Sequence, residues 1–227
     1  MRRLLREDFE IQVEEYVRGT LQTPPRAFVL RNVDIGSRPN VSESFESEVY
    51  SEVRSRHTLE SVKWDPVFRA YRDFYWRIGI DPTKVRPSSE ALVRRILQNK
   101  PLPRINPLVD VCNLVSALTG ITFSVFDLGK LSGSLALTWS RTGEVFRGIG
   151  VVKAETLTGK ELVMRDEEGV ISVYPYRDSE RTKTDHFTKD ALIVLCCVPA
   201  IGLTKLLDTE RVLLEAIERE LFKSQAR

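Results

Sequence analysis

Three short polar clusters hold the residues of this 227-residue chain whose types and spacing could do chemistry. The first is Lys84-Val85-Arg86-Pro87-Ser88-Ser89-Glu90, a cation and then hydroxyls at the start of a predicted helix. Backbone N–H groups and the helix dipole favour an anion there, so Arg86 and Ser88 could hold one. An ordinary cap with Glu90 in the first turn is the commoner meaning of such a pattern. In the second, Asn106, Asp110 and Asn113 are spaced i, i+4, i+7 and share one helix face. Short polar side chains beside Leu108, Val111 and Val115 suit a buried hydrogen-bond network or a ligand contact equally. The third runs from Tyr176 to Thr182, where Arg177 and Arg181 could grip a carboxylate or phosphate. A turn with an internal pair between Arg177 and Asp178 is the plainer reading.

Other chemistries find little support. The two histidines, His57 and His186, have no cysteine or carboxylate at metal-ligand spacing, so no metal site is predicted. His186 beside Asp185 could be a general base, but neighbours in sequence usually diverge, and an exposed loop histidine is the better reading. Gly148-Ile149-Gly150 lacks the third glycine and following helix of a phosphate loop, and there is no Gly-x-Ser-x-Gly elbow. No cofactor is called for. Cys112, Cys196 and Cys197 read as small core residues in a reducing compartment, which predicts a cytoplasmic chain. The first ten residues carry charges with no apolar stretch after them, and no window approaches the length of a membrane span.

The elements that must position these clusters follow from periodicity. A helix is predicted over Glu7–Tyr16, ended by Gly19 and the Thr23-Pro24-Pro25 break, then a strand over Ala27–Val33. After a loop over Gly36–Ser42, helices are predicted near Glu43–Arg56 and over Trp64–Ile78, the second stopped by Gly79. A helix opening at Pro87–Glu90 with a hydroxyl cap ends before Pro101, and another runs from Asn106-Pro107 to Gly120. Beyond Gly120 the period changes to strands: Thr122–Phe126, Leu135–Trp139, a hairpin of Glu161–Arg165 with Val170–Tyr174, and a central strand over Ala191–Val198. An amphipathic helix over Lys205–Phe222 closes the chain, with Leu206, Leu207, Leu213, Leu214, Ile217 and Leu221 on one stripe. Helices first and strands later, without alternation, predict an α+β fold: an antiparallel or mixed sheet with helices packed against it.

Composition is that of a folded chain, 42% hydrophobic and 29% charged, which excludes collagen and wholesale disorder. A net charge of +2 is far from the strongly basic balance of a dedicated nucleic-acid binder. Basic residues do concentrate between Phe68 and Asn106, interleaved with Tyr71, Phe74, Tyr75 and Trp76. That could be an RNA-facing patch, although arginines covering an aromatic helix pair are the favoured reading.

Arg86 to Leu97, then Leu102 to Ser116 with its Val109-Asp110-x-x-Asn113 segment, then Phe126-Asp127 and Gly133 resemble the B3/B4 domain of the phenylalanyl-tRNA synthetase β chain. Free-standing proteins made of that domain alone are the nearer likeness, with Arg177-Asp178-Ser179 and Thr188 also fitting. The likeness covers residues 68–200 and implies an α+β fold, in agreement with the element pattern. In the synthetase this domain hydrolyses tyrosine wrongly attached to the phenylalanine tRNA. The resemblance therefore implies tRNA or aminoacyl-tRNA as partner and an ester as the bond attacked. No aminoacylation is expected, because no synthetase catalytic domain is present.

The chain departs from that pattern at three places. Ser124 stands where the resemblance puts the editing histidine, just before Phe126-Asp127. The glutamate of the late strand falls in Ile193–Cys196, which holds no carboxylate, and Arg177-Asp178-Ser179 replaces a glycine-rich loop. As a hydrolase acting in trans, Asp178 or Asp110 would orient the attacking water, and Ser124 or Arg177 would hold the oxyanion or the amino acid. Arg86, Ser88, Asn106, Asp110, Asn113, Arg177 and Ser179 would bind substrate. As a non-catalytic module, the chain would instead hold an amino-acid-like ligand, an RNA end or a protein partner. Either way, Asn113, Ser124 and Arg177 are expected to line one cleft. The expected organisation is an N-terminal extension over 1–60, the B3/B4-like domain over 61–200 and a C-terminal helix over 201–227, in one unit.

Overall fold

A computed structural model describes residues 4–33, 35–37 and 40–222. Met1–Arg3 of the charged N-terminus, and Arg38 and Pro39 of the predicted Gly36–Ser42 loop, lie outside the described residues.

The chain opens with β1 (Leu5–Phe9), β2 (Gln12–Val13), α1 (Glu15–Leu21) and β3 (Arg26–Arg31). The helix expected over Glu7–Tyr16 is therefore overturned. Its first half is strand because Leu5–Phe9 pairs residue for residue with Arg31–Ala27, and cross-element ion pairs fix it there. Arg6 and Arg26 both reach the Glu210 carboxylate, at 2.5 and 2.6 Å. Such tertiary pairing overrides local propensity.

Next come α2 (Glu43–Arg56), α3 (Pro66–Arg77), α4 (Ser88–Leu97) and α5 (Pro107–Thr119). Ser42 caps α2 by accepting from the Phe45 N–H, and Asp65 caps α3 by accepting from Val67 and Phe68. Pro66 at the first position starts α3 two residues later than the apolar spacing suggested, so Trp64 sits in a preceding turn, 65% exposed. The hydroxyl cap expected on α4 is absent. Pro87 occupies the cap position, and the Ser88 hydroxyl donates instead to Thr122 Oγ1 at 3.3 Å. Asn106 does cap α5, and Gly120 ends it at φ +80°. A side chain at Gly120 would also meet Val67 Cγ1 at 2.9 Å, so packing and backbone both require glycine.

The rest is β4 (Thr122–Asp127), β5 (Ala136–Trp139), β6 (Val145–Phe146), β7 (Glu155–Thr156), β8 (Leu162–Arg165), β9 (Val170–Val173), β10 (Arg177–Asp178), β11 (Ala191–Cys196) and α6 (Leu203–Ile217), with α6 continuing as a π-helical turn to Phe222. Leu206, Leu213, Ile217 and Leu221 are buried as the predicted stripe requires, whereas Leu207 is exposed. The fold is α+β, with one antiparallel sheet in the order β1-β3-β11-β4 and a mixed sheet in the order β10-β9-β8-β5-β2. β11 lies between β3 and β4 and is fully buried, as expected of a central strand.

The register assigns the two faces of the first sheet. Arg6 and Arg26 point to the side where Glu210 of α6 lies, and α6 packs on α5. Thr122, Ser124 and Phe126 of β4, with Leu192, Val194 and Cys196 of β11, point to the other side. There the second sheet meets them: Leu137, Leu162, Met164 and Ile171 join the same apolar core. Helices cover one face and a second sheet the other. Among the described residues no helix is long and apolar enough to cross a membrane.

Candidate functional site

The polar centre between the two sheets is Ser124 with Asp178. Strand alternation turns Ser124 inward, and the pairing of Asp178 with Ser172 puts both of those side chains on one face of the second sheet. Ser124 Oγ donates to Asp178 Oδ1 at 2.8 Å, and Cys196 Sγ lies 3.7 Å from the same hydroxyl. Burial pushes the Asp178 carboxyl up to about 6, against hydrogen bonds from Ser124, Ser172 and the Val125 backbone that pull it down. None of the groups that shift it is a cation. Burial, and then the Asp178 charge, raises the Cys196 thiol, so it is no ready nucleophile. What the arrangement can do is hold a carboxylate near its titration point, with hydroxyls that fix its orientation.

Thr122 extends this line, since it lies two residues before Ser124 on the same strand face and accepts from the Ser88 hydroxyl. Its own N–H donates to the buried Tyr71 hydroxyl, which in turn donates to the Cys196 carbonyl at 2.5 Å. The end of the β4–β11 ladder is thereby pinned to α3.

Arg177 follows a different course from its neighbour Asp178. Its guanidinium lies 4.9 Å from the centre of the Tyr176 ring, and its stem passes over Gly148. A Cβ at Gly148 would come within 2.3 Å of Arg177 Cδ, so any larger residue there forces the Arg177 stem to move. The expected two-arginine grip does not form: Arg181 pairs with Asp166 at 2.7 Å and Glu168 at 3.0 Å. Ser179 is buried, and its Oγ accepts from the Arg181 N–H.

The second cluster is separated from Ser124 by the first sheet. Asn106 caps α5 and donates through Nδ2 to Thr184 Oγ1 at 3.0 Å. Asp110 Oδ1 accepts from the Ile105 N–H at 2.9 Å, near Arg104 at 3.9 Å; burial raises its pKa. Asn113 is half-buried on the same helix. The single cleft expected for Asn113, Ser124 and Arg177 is thus overturned. Since α5 packs with α6 on the helix-covered face, Asn113 lies across the first sheet from the inward-facing Ser124.

Arg86 is exposed, and Ser88 joins Thr122. In the basic stretch, Arg72 and Arg94 clamp the fully buried Glu90 at 2.6 and 2.7 Å, and Arg104 pairs with Glu46. Arg69, Arg77, Lys84, Arg86 and Lys100 remain exposed, along with Trp76. His186 is exposed, and Asp185 beside it pairs with Lys130 at 2.7 Å. Among the described residues no group of three His, Cys, Asp or Glu side chains could hold a metal ion. Sequence reasoning missed Ser172 and Cys196 as neighbours of Asp178. The signal for Ser172 was one polar residue in the otherwise apolar strand Val170-Ile171-Ser172-Val173.

Comparison with known proteins gives one family: the pattern of the B3/4 domain matches residues 70–213. Among similar curated proteins is the phenylalanine–tRNA ligase beta subunit of Bartonella henselae, 37% identical over 89 residues, covering 39% of this chain and 11% of the relative. That of Mycoplasma pneumoniae is 30% identical over 122 residues, covering 54% of this chain and 15% of the relative. The chain thus spans only a small part of these relatives. A similar solved structure is an N-terminal fragment of the phenylalanyl-tRNA synthetase beta subunit from Pyrococcus horikoshii, with a TM-score of 0.43 and 18% identity over 50% of this chain and 40% of that one.

Proposed function

The chain belongs to the B3/4 domain family, and from that premise we propose that it hydrolyses, in trans, the ester of a mischarged aminoacyl-tRNA. The observation that carries this reading is the Ser124–Asp178 contact of 2.8 Å around a carboxyl raised to about 6. A carboxylate in that range is ionised at neutral pH yet basic enough to accept a proton.

In the proposed step Asp178 takes a proton from water while the water oxygen attacks the ester carbonyl carbon. The tetrahedral oxyanion then collapses, the bond to the ribose oxygen breaks, and that oxygen recovers the proton from Asp178. Ser124 holds the carboxylate in one orientation, which supplies positioning in place of a histidine. The exposed Arg69, Arg77, Lys84, Arg86 and Lys100 with Trp76 would meet RNA phosphates and a base.

A second reading, a binding module without turnover, is favoured by Ile193–Cys196, where all four residues are fully buried and none carries a carboxylate. Deacylation of mischarged tRNAs separates the two. Turnover by the wild type that Asp178→Asn abolishes supports the hydrolase. Binding of the charged tRNA without turnover supports the module, and neither binding nor turnover rejects both.

A further inference from the structure

A large open groove lies, but for Leu203, outside the residues that match the family, where the β1–β3 ladder ends and the chain crosses to the second sheet. Its volume is about 950 Å³, and its walls come from Asp8–Val13 and Leu21–Ala27, with Arg18 and Leu203. This is at the upper end of the range for small-molecule sites. Half-buried Phe9 and exposed Pro24 supply apolar surface.

Two of the four charged groups here are already committed. Arg26 is held by Glu210 and Asp8 by Arg6. Glu10 and Arg18 are not: both are exposed, and neither takes part in an ion pair among the described residues. Arg18 uses only Nε, donating to the Val13 carbonyl at 3.1 Å, which leaves its two terminal nitrogens free. The N–H groups of Glu10 and Ile11, between the two strands, have no hydrogen-bond partner among the described residues. Gln22 lines the groove at φ 65° and ψ −48°, in a γ-turn closed by the Thr23 N–H on the Leu21 carbonyl at 2.8 Å. A non-glycine residue is strained in that conformation, and such strain concentrates at ligand-holding segments.

We propose that this groove binds a short extended peptide with apolar side chains and free charged ends. A peptide carbonyl accepts from one of the two free N–H groups of Glu10 and Ile11. Its side chains rest on Phe9 and Pro24, its ammonium end lies at Glu10 and its carboxylate at Arg18. The opposite free charges at a partly apolar slot argue for this occupant, and the volume exceeds what one amino acid fills.

Calorimetric titration of the full chain with the tripeptide Leu-Ala-Leu, with leucine, and with the N-acetylated, C-amidated tripeptide tests the assignment. The free tripeptide saturates the protein, while the blocked form, and the free form on Glu10→Gln or Arg18→Gln, bind about tenfold more weakly or worse. Amide NMR shifts at Glu10, Ile11 and Gln22 place the peptide. The proposal is overturned if Leu-Ala-Leu shows no saturable binding at millimolar concentration, if blocking its ends changes nothing, or if leucine binds as tightly as the tripeptide. Glu10 and Arg18 are remote from Ser124 and Asp178, so these variants leave any deacylation unchanged, and failure here is separate from failure of the hydrolase reading.

Discussion

Replacing Asp178 by Asn isolates the cost of holding a charge between the sheets. In the fold the carboxyl titrates near 6, against an ordinary value of 3.8. Because the folded pKa is the higher one, the unfolded chain releases its proton first as pH rises. The Asp178 contribution to stability is therefore full below about pH 4 and is lost as pH rises through 6. The gap of about two units corresponds to about 3 kcal/mol lost at pH 8. Asp178→Asn keeps the shape and removes the charge, and the Ser124 and Ser172 hydroxyls can rotate to satisfy the amide. The variant is thus expected to be more stable than the wild type by about 3 kcal/mol at pH 8, and close to it at pH 4. For a chain of this size that is roughly 6–12 °C in Tm. Urea unfolding of both proteins at the two pH values measures it. An equal gap at pH 4 and pH 8, or a variant less stable at pH 8, would refute the reasoning. The same substitution should abolish deacylation, so that stability gained and turnover lost come from one proton site.

Ser124→Ala removes a hydrogen bond to the carboxylate, at a cost of roughly 1.5–3 kcal/mol at pH 8; carboxyl carbon NMR should show Asp178 titrating above 6. If the hydrolase reading holds, kcat/KM of the wild type rises with pH through about 6 and then levels, because only ionised Asp178 accepts the proton; a flat profile argues against it. Glu90→Gln leaves Arg72 and Arg94 beside a neutral group and should lower stability by about 3–5 kcal/mol in chemical denaturation. Gly148→Ala drives a methyl into the Arg177 stem and should cost about 1–3 kcal/mol. In NMR spectra of that variant, the Arg177 side-chain protons should no longer carry the ring-current shift of Tyr176.

Much of the architecture was legible because it rests on local signals. Asn106-Pro107 and Gly120 bracket a helix by cap chemistry alone, and the Asp166–Gly169 turn brackets a hairpin. The N-terminal strand was not legible, since Leu5–Phe9 becomes β only by pairing with Arg26–Arg31 and by the reach of Arg6 to Glu210. The Ser124–Asp178 contact joins residues 54 positions apart, and spacing along one strand cannot foretell which sheet another strand will face. Asn106, Asp110 and Asn113 do share a helix neighbourhood, as spacing required. Which side of the sheet that helix takes is a property of the whole fold. The groove at Glu10 and Gln22 depends on two strands diverging, and no local pattern announces that.

The position of β3 has a practical consequence for anyone trimming the chain. Ala191–Cys196 is wholly apolar, with β4 on one side and β3 on the other. A fragment cut to residues 70–213 would strip away β1 and β3 and leave six oily residues offering unpaired amides to any passing strand. Such a fragment should clump during purification, whereas the intact polypeptide carries its own shield.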